Sequence, residues 1–143
     1  MTFKQAEIGD FETAFRFIQE LWSYNTYQRE EIAPVYERVI RNPDSFFFFL
    51  VEDGVYQGMC HGDYFDTFWM SGATCYVSSL YVVPEERGKG YGTKLLDHAR
   101  ELAKQRGCQA MILDSGLPRV SAHQFYQRYG FEKSCYGFEL VGL

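Results

Sequence analysis

The chain has 143 residues, 46% of them hydrophobic and 23% charged, the proportions of a single domain (1–143) with a full core. No run approaches the roughly 18 uncharged apolar residues of a membrane helix, and the polar start MTFKQAEIGD lacks the apolar stretch of a secretory leader, so a cytoplasmic protein without a membrane partner is expected. A net charge of -5 argues against a nucleic-acid partner, which needs a concentrated basic footprint, and suits a small cationic one.

Residues 2–8 read as a short strand. Asp10 is placed to cap a helix, its carboxylate accepting from free N–H groups, and Phe11, Ala14, Phe15, Ile18, Leu21 and Trp22 then recur on one helical face. A second helix is predicted from about Pro34 to Arg41, with proline tolerated in its first turn and Pro43 ending it. SFFFFLVEDGVYQGM reads as a hairpin: Phe46 to Glu52, a turn at Asp53-Gly54, and a return from Val55 to about Tyr64. Its four-phenylalanine run fits a strand buried on both faces. After Gly72, a strand over Thr74 to Val83 is stopped by Pro84.

Past a glycine-rich stretch, Leu95, Ala99, Leu102 and Ala103 form a helical face, with Gly107 at the C-cap. CQAMILDS is the next strand. Ser121 with Gln124 resembles a capping box, opening a helix with Ala122, Phe125, Tyr126 and Tyr129 on one face and Gly130 at its end. YGFELVGL closes the chain as a last strand. Strands outnumber helices without strict alternation, so the fold class is α/β, with a mixed, mostly antiparallel central sheet flanked by helices.

Cys60, Cys75, Cys108 and Cys135 lie far apart with no C-x-x-C and no paired histidines, so neither a metal site nor a disulfide framework is expected. The 13 Phe and 11 Tyr admit two compatible readings. Rings fill the core and contacts between two copies, which allows a homodimer, or tyrosines line a pocket.

The stretch EERGKGYG, between a strand and a helix, has three candidate ligands. A Walker phosphate loop needs Gly-Lys-Ser/Thr, and here Gly92 is followed by Thr93-Lys94 in the wrong order. A dinucleotide fingerprint needs Gly-x-Gly-x-x-Gly after the first strand of a βαβ unit. This stretch has Gly-x-Gly-x-Gly late in the chain, without the acidic ribose partner in its usual context. What remains is an anion site. Gly88, Gly90 and Gly92 let successive N–H groups converge on a phosphate without Cβ interference, and the positive end of the following helix adds attraction beside Arg87 and Lys89.

LYVVPEERGKGYGTKLL resembles motif A of the GNAT N-acetyltransferases, Gln/Arg-x-x-Gly-x-Gly/Ala, filled here by Arg87, Gly90 and Gly92. AHQFYQRYGF resembles the family's second signature, an Ala-x-x-Phe-Tyr helix ended by Gly-Phe. The resemblance spans roughly residues 45–143, and residues 3–40 fit the variable N-terminal strand and helices. It implies the GNAT acyl-CoA acyltransferase fold with splayed central strands, and acetyl-CoA as co-substrate. The pyrophosphate would sit on the amides of Gly88, Lys89, Gly90, Tyr91, Gly92 and Thr93. The pantetheine arm would pair with the backbone of Leu80, Tyr81 and Val82.

Acetyl transfer to an amine needs a polarised carbonyl, a neutral amine and a protonated leaving thiolate. A backbone N–H near Leu80 is placed to serve the first, and the resemblance makes Tyr126 the acid for the third. Many relatives carry an acid on the strand before motif A, where TCYVSSLYV has only Ser78 and Ser79. His61, Asp63 and Asp66 are further candidates for the base, and water is the alternative. Where many relatives have Asn, this chain has Arg119, to which no role is carried over.

The acceptor expected is a small-molecule amine, the aminoalkylphosphonate type being one such group, with Tyr24, Tyr27, Tyr64, Asp63 and Asp66 as candidate lining. A protein N-terminus or lysine is the alternative acceptor, and a non-catalytic acyl-CoA-binding module the alternative class. His123 is expected to face outward on its helix.

Overall fold

The computed structural model describes residues 1–143. Its strands are β1 (Thr2–Gln5), β2 (Ser45–Glu52), β3 (Val55–Thr67), β4 (Gly72–Val82) and β5 (Ala110–Leu113), forming one sheet in sequence order. The first four pair antiparallel, while β5 joins β4 in parallel. A parallel partner needs a crossover, and α3 (Tyr91–Gln105) supplies it. The other helices are α1 (Phe11–Leu21), α2 (Arg29–Arg41) and α4 (Val120–Tyr129). No helix is long and apolar enough to cross a membrane.

The phenylalanine run sets the layers, because successive strand residues point to opposite faces. Phe46, Phe48 and Leu50 join Cys60, Cys75 and Val77 against Leu95, Leu96, Ala99 and Ala103 of α3. Phe47 and Phe49 join Met59 and Tyr81 against Ala14 and Phe17 of α1 and Tyr36 of α2. The strand is thus buried on both faces, each full ring burial contributing about 1.5–3 kcal/mol.

Several local expectations are corrected. The helix α2 begins at Arg29, five residues before the predicted start, because Ile32, Ala33, Tyr36, Val39 and Ile40 make one continuous inward face. Glu30 and Glu31 at its positive end and Arg38 and Arg41 at its negative end also favour it, and Pro34 removes only one backbone bond. The strand β1 stops at Gln5, since Ile8–Asp10 forms a single 3-10 turn. Asp10 sits at the head of α1, but its carboxylate turns back to accept from Glu7 N–H at 2.9 Å, Lys4 Nζ at 2.6 Å and Tyr56 hydroxyl at 2.6 Å.

No Ser121 capping box forms: α4 starts at Val120 with no side-chain cap. The expected final strand is absent too. Residues 132–143 are exposed and make no backbone hydrogen bonds. Alternating apolar residues make a strand only where a neighbour satisfies the backbone, and no strand reaches this segment.

Candidate active site

The pairing of β4 with β5 covers only Thr74–Val77 against Ala110–Leu113. At the next residue the β3 register slips, His61 facing Ser79 and Gly62 facing Val77, so Ser78 is the extra residue of a β-bulge. The bulge bends β4 away from β5. From Ser78 to Val82, β4 has β3 on one side and no strand on the other. That free edge is the expected splay. Leu80 and Val82 point toward α3, whereas Tyr81 points to the α1 side, packs at a tilt on Phe17 at 4.9 Å and donates its hydroxyl to Glu20. Burial and then Glu20 push the Tyr81 phenol up to about 12, so its side chain belongs to the core and only its backbone lies on the open edge.

The glycine loop runs from the end of β4 to α3. Gly88 and Gly90 adopt φ of 80° and 85°, a left-handed conformation that residues with a Cβ reach only at a cost. Gly92 serves a different purpose, since a Cβ there would lie 3.1 Å from the Phe125 ring of α4. Two glycines turn the chain and the third lets the two signature helices touch. The N–H groups of residues 88–93 donate to nothing within the chain, Lys94 being the first to bond back, to Gly90 at 3.1 Å. Six consecutive free donors at the positive end of a helix make an anion cradle of backbone. The side chains are otherwise engaged. Lys89 pairs with Glu86 at 2.9 Å, Tyr91 with Glu52, and Arg87 donates from Nε to Val82 oxygen at 2.9 Å while lying over the Tyr81 ring.

On α4, Tyr126 is half-buried between Phe125 and Phe131, at ring distances of 5.3 and 5.9 Å. The Gly-Phe signature thus pins it, with Phe131 N–H returning to Tyr126 oxygen at 3.0 Å. Six tyrosines (Tyr36, Tyr56, Tyr76, Tyr81, Tyr91, Tyr129) donate their hydroxyls to a carboxylate or carbonyl, but that of Tyr126 has no partner. Burial raises its phenol above the ordinary value, opposed by Arg119. Arg119 itself is exposed at the head of α4, and His123 is tied to Gly116 oxygen at 2.8 Å.

The five residues expected to line an acceptor pocket do not converge. Asp63 faces the α1–α2 side and accepts from Ser45 at 2.5 Å, while its neighbour Tyr64 faces α3 and packs under Arg106. Asp66 is exposed near the β3–β4 turn, and Tyr24 is 80% exposed beyond α1. Tyr27 is half-buried and bonded to Asn25. His61 lies on the Asp63 face with its ring 5.5 Å from Phe47, and burial lowers its basicity.

One pair is not evident from the sequence. Tyr76 donates to Asp114 at 2.9 Å where β4 and β5 part, with Asp63 across the ladder. Burial first, then Asp114, raises the Tyr76 phenol to about 12. The signal available was position: Asp114 ends a strand parallel to its neighbour, and ligands of such sheets gather at carboxyl ends.

Residues 11–131 match the acetyltransferase (GNAT) family. N-alpha-acetyltransferase 30 of Schizosaccharomyces pombe is 36% identical over 69 residues, 47% of this chain and 46% of that protein. The match therefore spans less than half of that relative's length. Thialysine N-epsilon-acetyltransferase of Sus scrofa is 30% identical over 124 residues, 77% of this chain and 71% of that protein. The fold is shared with the aminoglycoside N-acetyltransferase AAC(6')-Iy in complex with CoA, at a TM-score of 0.85 and 16% identity, covering 99% of this chain and 93% of that one.

Proposed function

The chain belongs to the acetyltransferase (GNAT) family, and from that premise we propose that it moves an acetyl group from acetyl-CoA to the primary amine of a small molecule, by direct attack in a ternary complex. The observation that carries the reading is the run of six free N–H groups from Gly88 to Thr93, one short turn beyond the unpaired edge of β4. A pyrophosphate takes the first and a pantetheine amide chain suits the second, along the backbone of Leu80, Tyr81 and Val82. Arg87 and Lys89 then tune a cradle that backbone amides provide.

In the transfer, the amine nitrogen attacks the thioester carbonyl, whose oxygen is polarised by a backbone N–H near Leu80. Collapse of the adduct breaks the C–S bond, and the Tyr126 hydroxyl, free of internal partners and above the pKa of an ordinary thiol, donates its proton to the departing thiolate. Holding donor and acceptor together in the splay supplies much of the remaining acceleration.

Asp63, Asp114 and the Tyr76 hydroxyl between them favour a cationic acceptor at the cleft. The four free thiols suit a reducing compartment, and we place the reaction in the cytoplasm. The test is release of CoA thiol from acetyl-CoA with a panel of small primary amines set against peptides bearing a free N-terminus or lysine. Turnover on small amines supports the reading, preference for peptides replaces the acceptor class, and acetyl-CoA binding with no turnover on either reduces the protein to a binding module.

A further inference from the structure

A buried polar atom with no partner needs a reason in a folded protein. His61 Nε2 is such an atom. Its ring lies nearly parallel to Phe47, interplanar angle 24°, on the face of the sheet that α1 and α2 cover. In the ladder His61 stands opposite Ser79, the residue between the bulge at Ser78 and the backbone of Leu80. Directly opposed residues of an antiparallel pair lie about 4.5–5.5 Å apart at Cα, so the His61 backbone stands one strand in from the place where β4 leaves β5. Tyr126 packs on the opposite, α3 face of the sheet.

We propose that His61 is the base of the transfer reaction, removing the proton of the incoming amine on the α1–α2 side of the sheet while Tyr126 protonates the thiolate from the other. This rests on the acetyltransferase reading above. With Nε2 walled in, Nδ1 is the nitrogen that reaches the amine, directly or through one water. The ammonium gives one proton to Nδ1, the neutral nitrogen attacks the thioester carbonyl, the N–C bond forms and the C–S bond breaks. Tyr126 gives its proton to sulfur, the second proton of the acylated nitrogen passes through water to restore the tyrosine, and solvent carries the imidazolium proton away.

The surroundings agree. Burial holds His61 below the usual imidazole range, with Asp63 opposing, so the ring is neutral near pH 7 and able to accept. Burial pushes Tyr126 the other way, so it stays protonated and able to donate. Opposed shifts of this kind separate a base from an acid. Asp63, on the same strand, is the charged group that bears on the ring. Phe47 and Ser79 beside it carry no charge, and Glu20 of α1 is bound by Tyr81.

The test compares wild type with His61→Gln on the best amine of the panel and on its β-fluorinated analogues, whose ammonium pKa falls step by step. A lost base costs about 100-fold in kcat for the most basic amine and shrinks to a few-fold for the least basic, which enters already neutral. A loss equal across the series, or none, overturns the proposal and leaves the acetyltransferase reading standing, whereas a wild type inert toward every amine and peptide removes both. Should His61→Gln fail to fold, nitrogen-15 NMR of the wild-type imidazole decides. A His61 ring neutral at pH 7 that shifts on adding CoA with the amine supports the proposal, and a ring indifferent to both refutes it.

Discussion

Gly92→Ala separates the two roles of the glycine loop. The new Cβ would stand 3.1 Å from Phe125 Cζ and 3.6 and 3.7 Å from its Cε atoms. Relaxed carbon contacts lie at about 3.5–4.0 Å, so the ring must retreat by roughly half an ångström. Overpacking of that size costs about 1–2 kcal/mol, and better helix propensity returns about 0.5–1. The net loss is therefore small, a few degrees in Tm at roughly 2–5 °C per kcal/mol. Activity should suffer more. Phe125 cannot move without Tyr126 beside it, and a shift of about half the ångström that costs 100-fold predicts roughly tenfold in kcat.

Gly90→Ala meets no atom within 4 Å but sits at φ 85°, so about 1–2 kcal/mol of strain falls on the anion cradle. It should raise the KM for acetyl-CoA and leave kcat nearly intact. Adding Phe125→Leu, which removes Cζ, should rescue Gly92→Ala but not Gly90→Ala, with a coupling of about 0.5–3 kcal/mol in thermal unfolding for the first pair. Effects of Gly92→Ala and Phe125→Leu that simply add, or identical kinetic profiles for the two glycine variants, would refute the division of labour.

Tyr126→Phe should lower kcat about 10²-fold or more with CoA affinity unchanged, measured by turnover and by calorimetric titration; an equal fall in affinity would make the ring a packing element only. Asp114→Asn should raise the acceptor KM several-fold without touching that for acetyl-CoA, while an unaltered acceptor KM excludes it from the acceptor site. Asp10→Asn should cost about 1–3 kcal/mol in urea unfolding at pH 7, since it weakens three hydrogen bonds to a charged group. Burial raises the Asp10 pKa, but Lys4, Tyr56 and the Glu7 N–H together hold it below the usual carboxylate range. Its stabilisation is therefore present above the unfolded pKa of about 3.9, and the gap to wild type should close as pH falls through the lower folded value. A gap that persists at pH 2 would contradict that sign.

What the sequence made legible was local. The Asp53-Gly54 hairpin, β4 ended by Pro84, and the α3 face of Leu95, Ala99, Leu102 and Ala103 each follow from spacing within one element. So does the glycine loop as a tight turn into α3, with Gly88 and Gly90 at positive φ. Features that depend on distant chain were not readable. Gly92 looked like a phosphate glycine because nothing nearby in sequence reveals Phe125, 33 positions on, as the reason for its missing side chain. Tyr76 and Asp114 are separated by 38 residues, and only the parallel register brings them together. YGFELVGL has strand composition, but a strand exists only with a neighbour, and pattern alone does not supply one.

The bulge at Ser78 joins these levels. Gly62, opposite Val77 at the slip, would place a Cβ 2.3 Å from Tyr76 oxygen and 2.4 Å from Phe46 Cζ, so only glycine lets β3 follow β4 through the bend. The bend releases β4 from β5, and the release leaves backbone groups facing an open slot where the positive end of α3 begins. Because β-strand side chains alternate, the sheet carries different chemistry on its two faces, with Tyr126 packed on the α3–α4 side and His61 and Asp63 on the α1–α2 side. In the proposed transfer the two faces divide the acid from the base. A continuous ladder would join β4 to β5 along its whole length and close both at once, which is why one extra residue in β4 matters more to this site than any single side chain beside it.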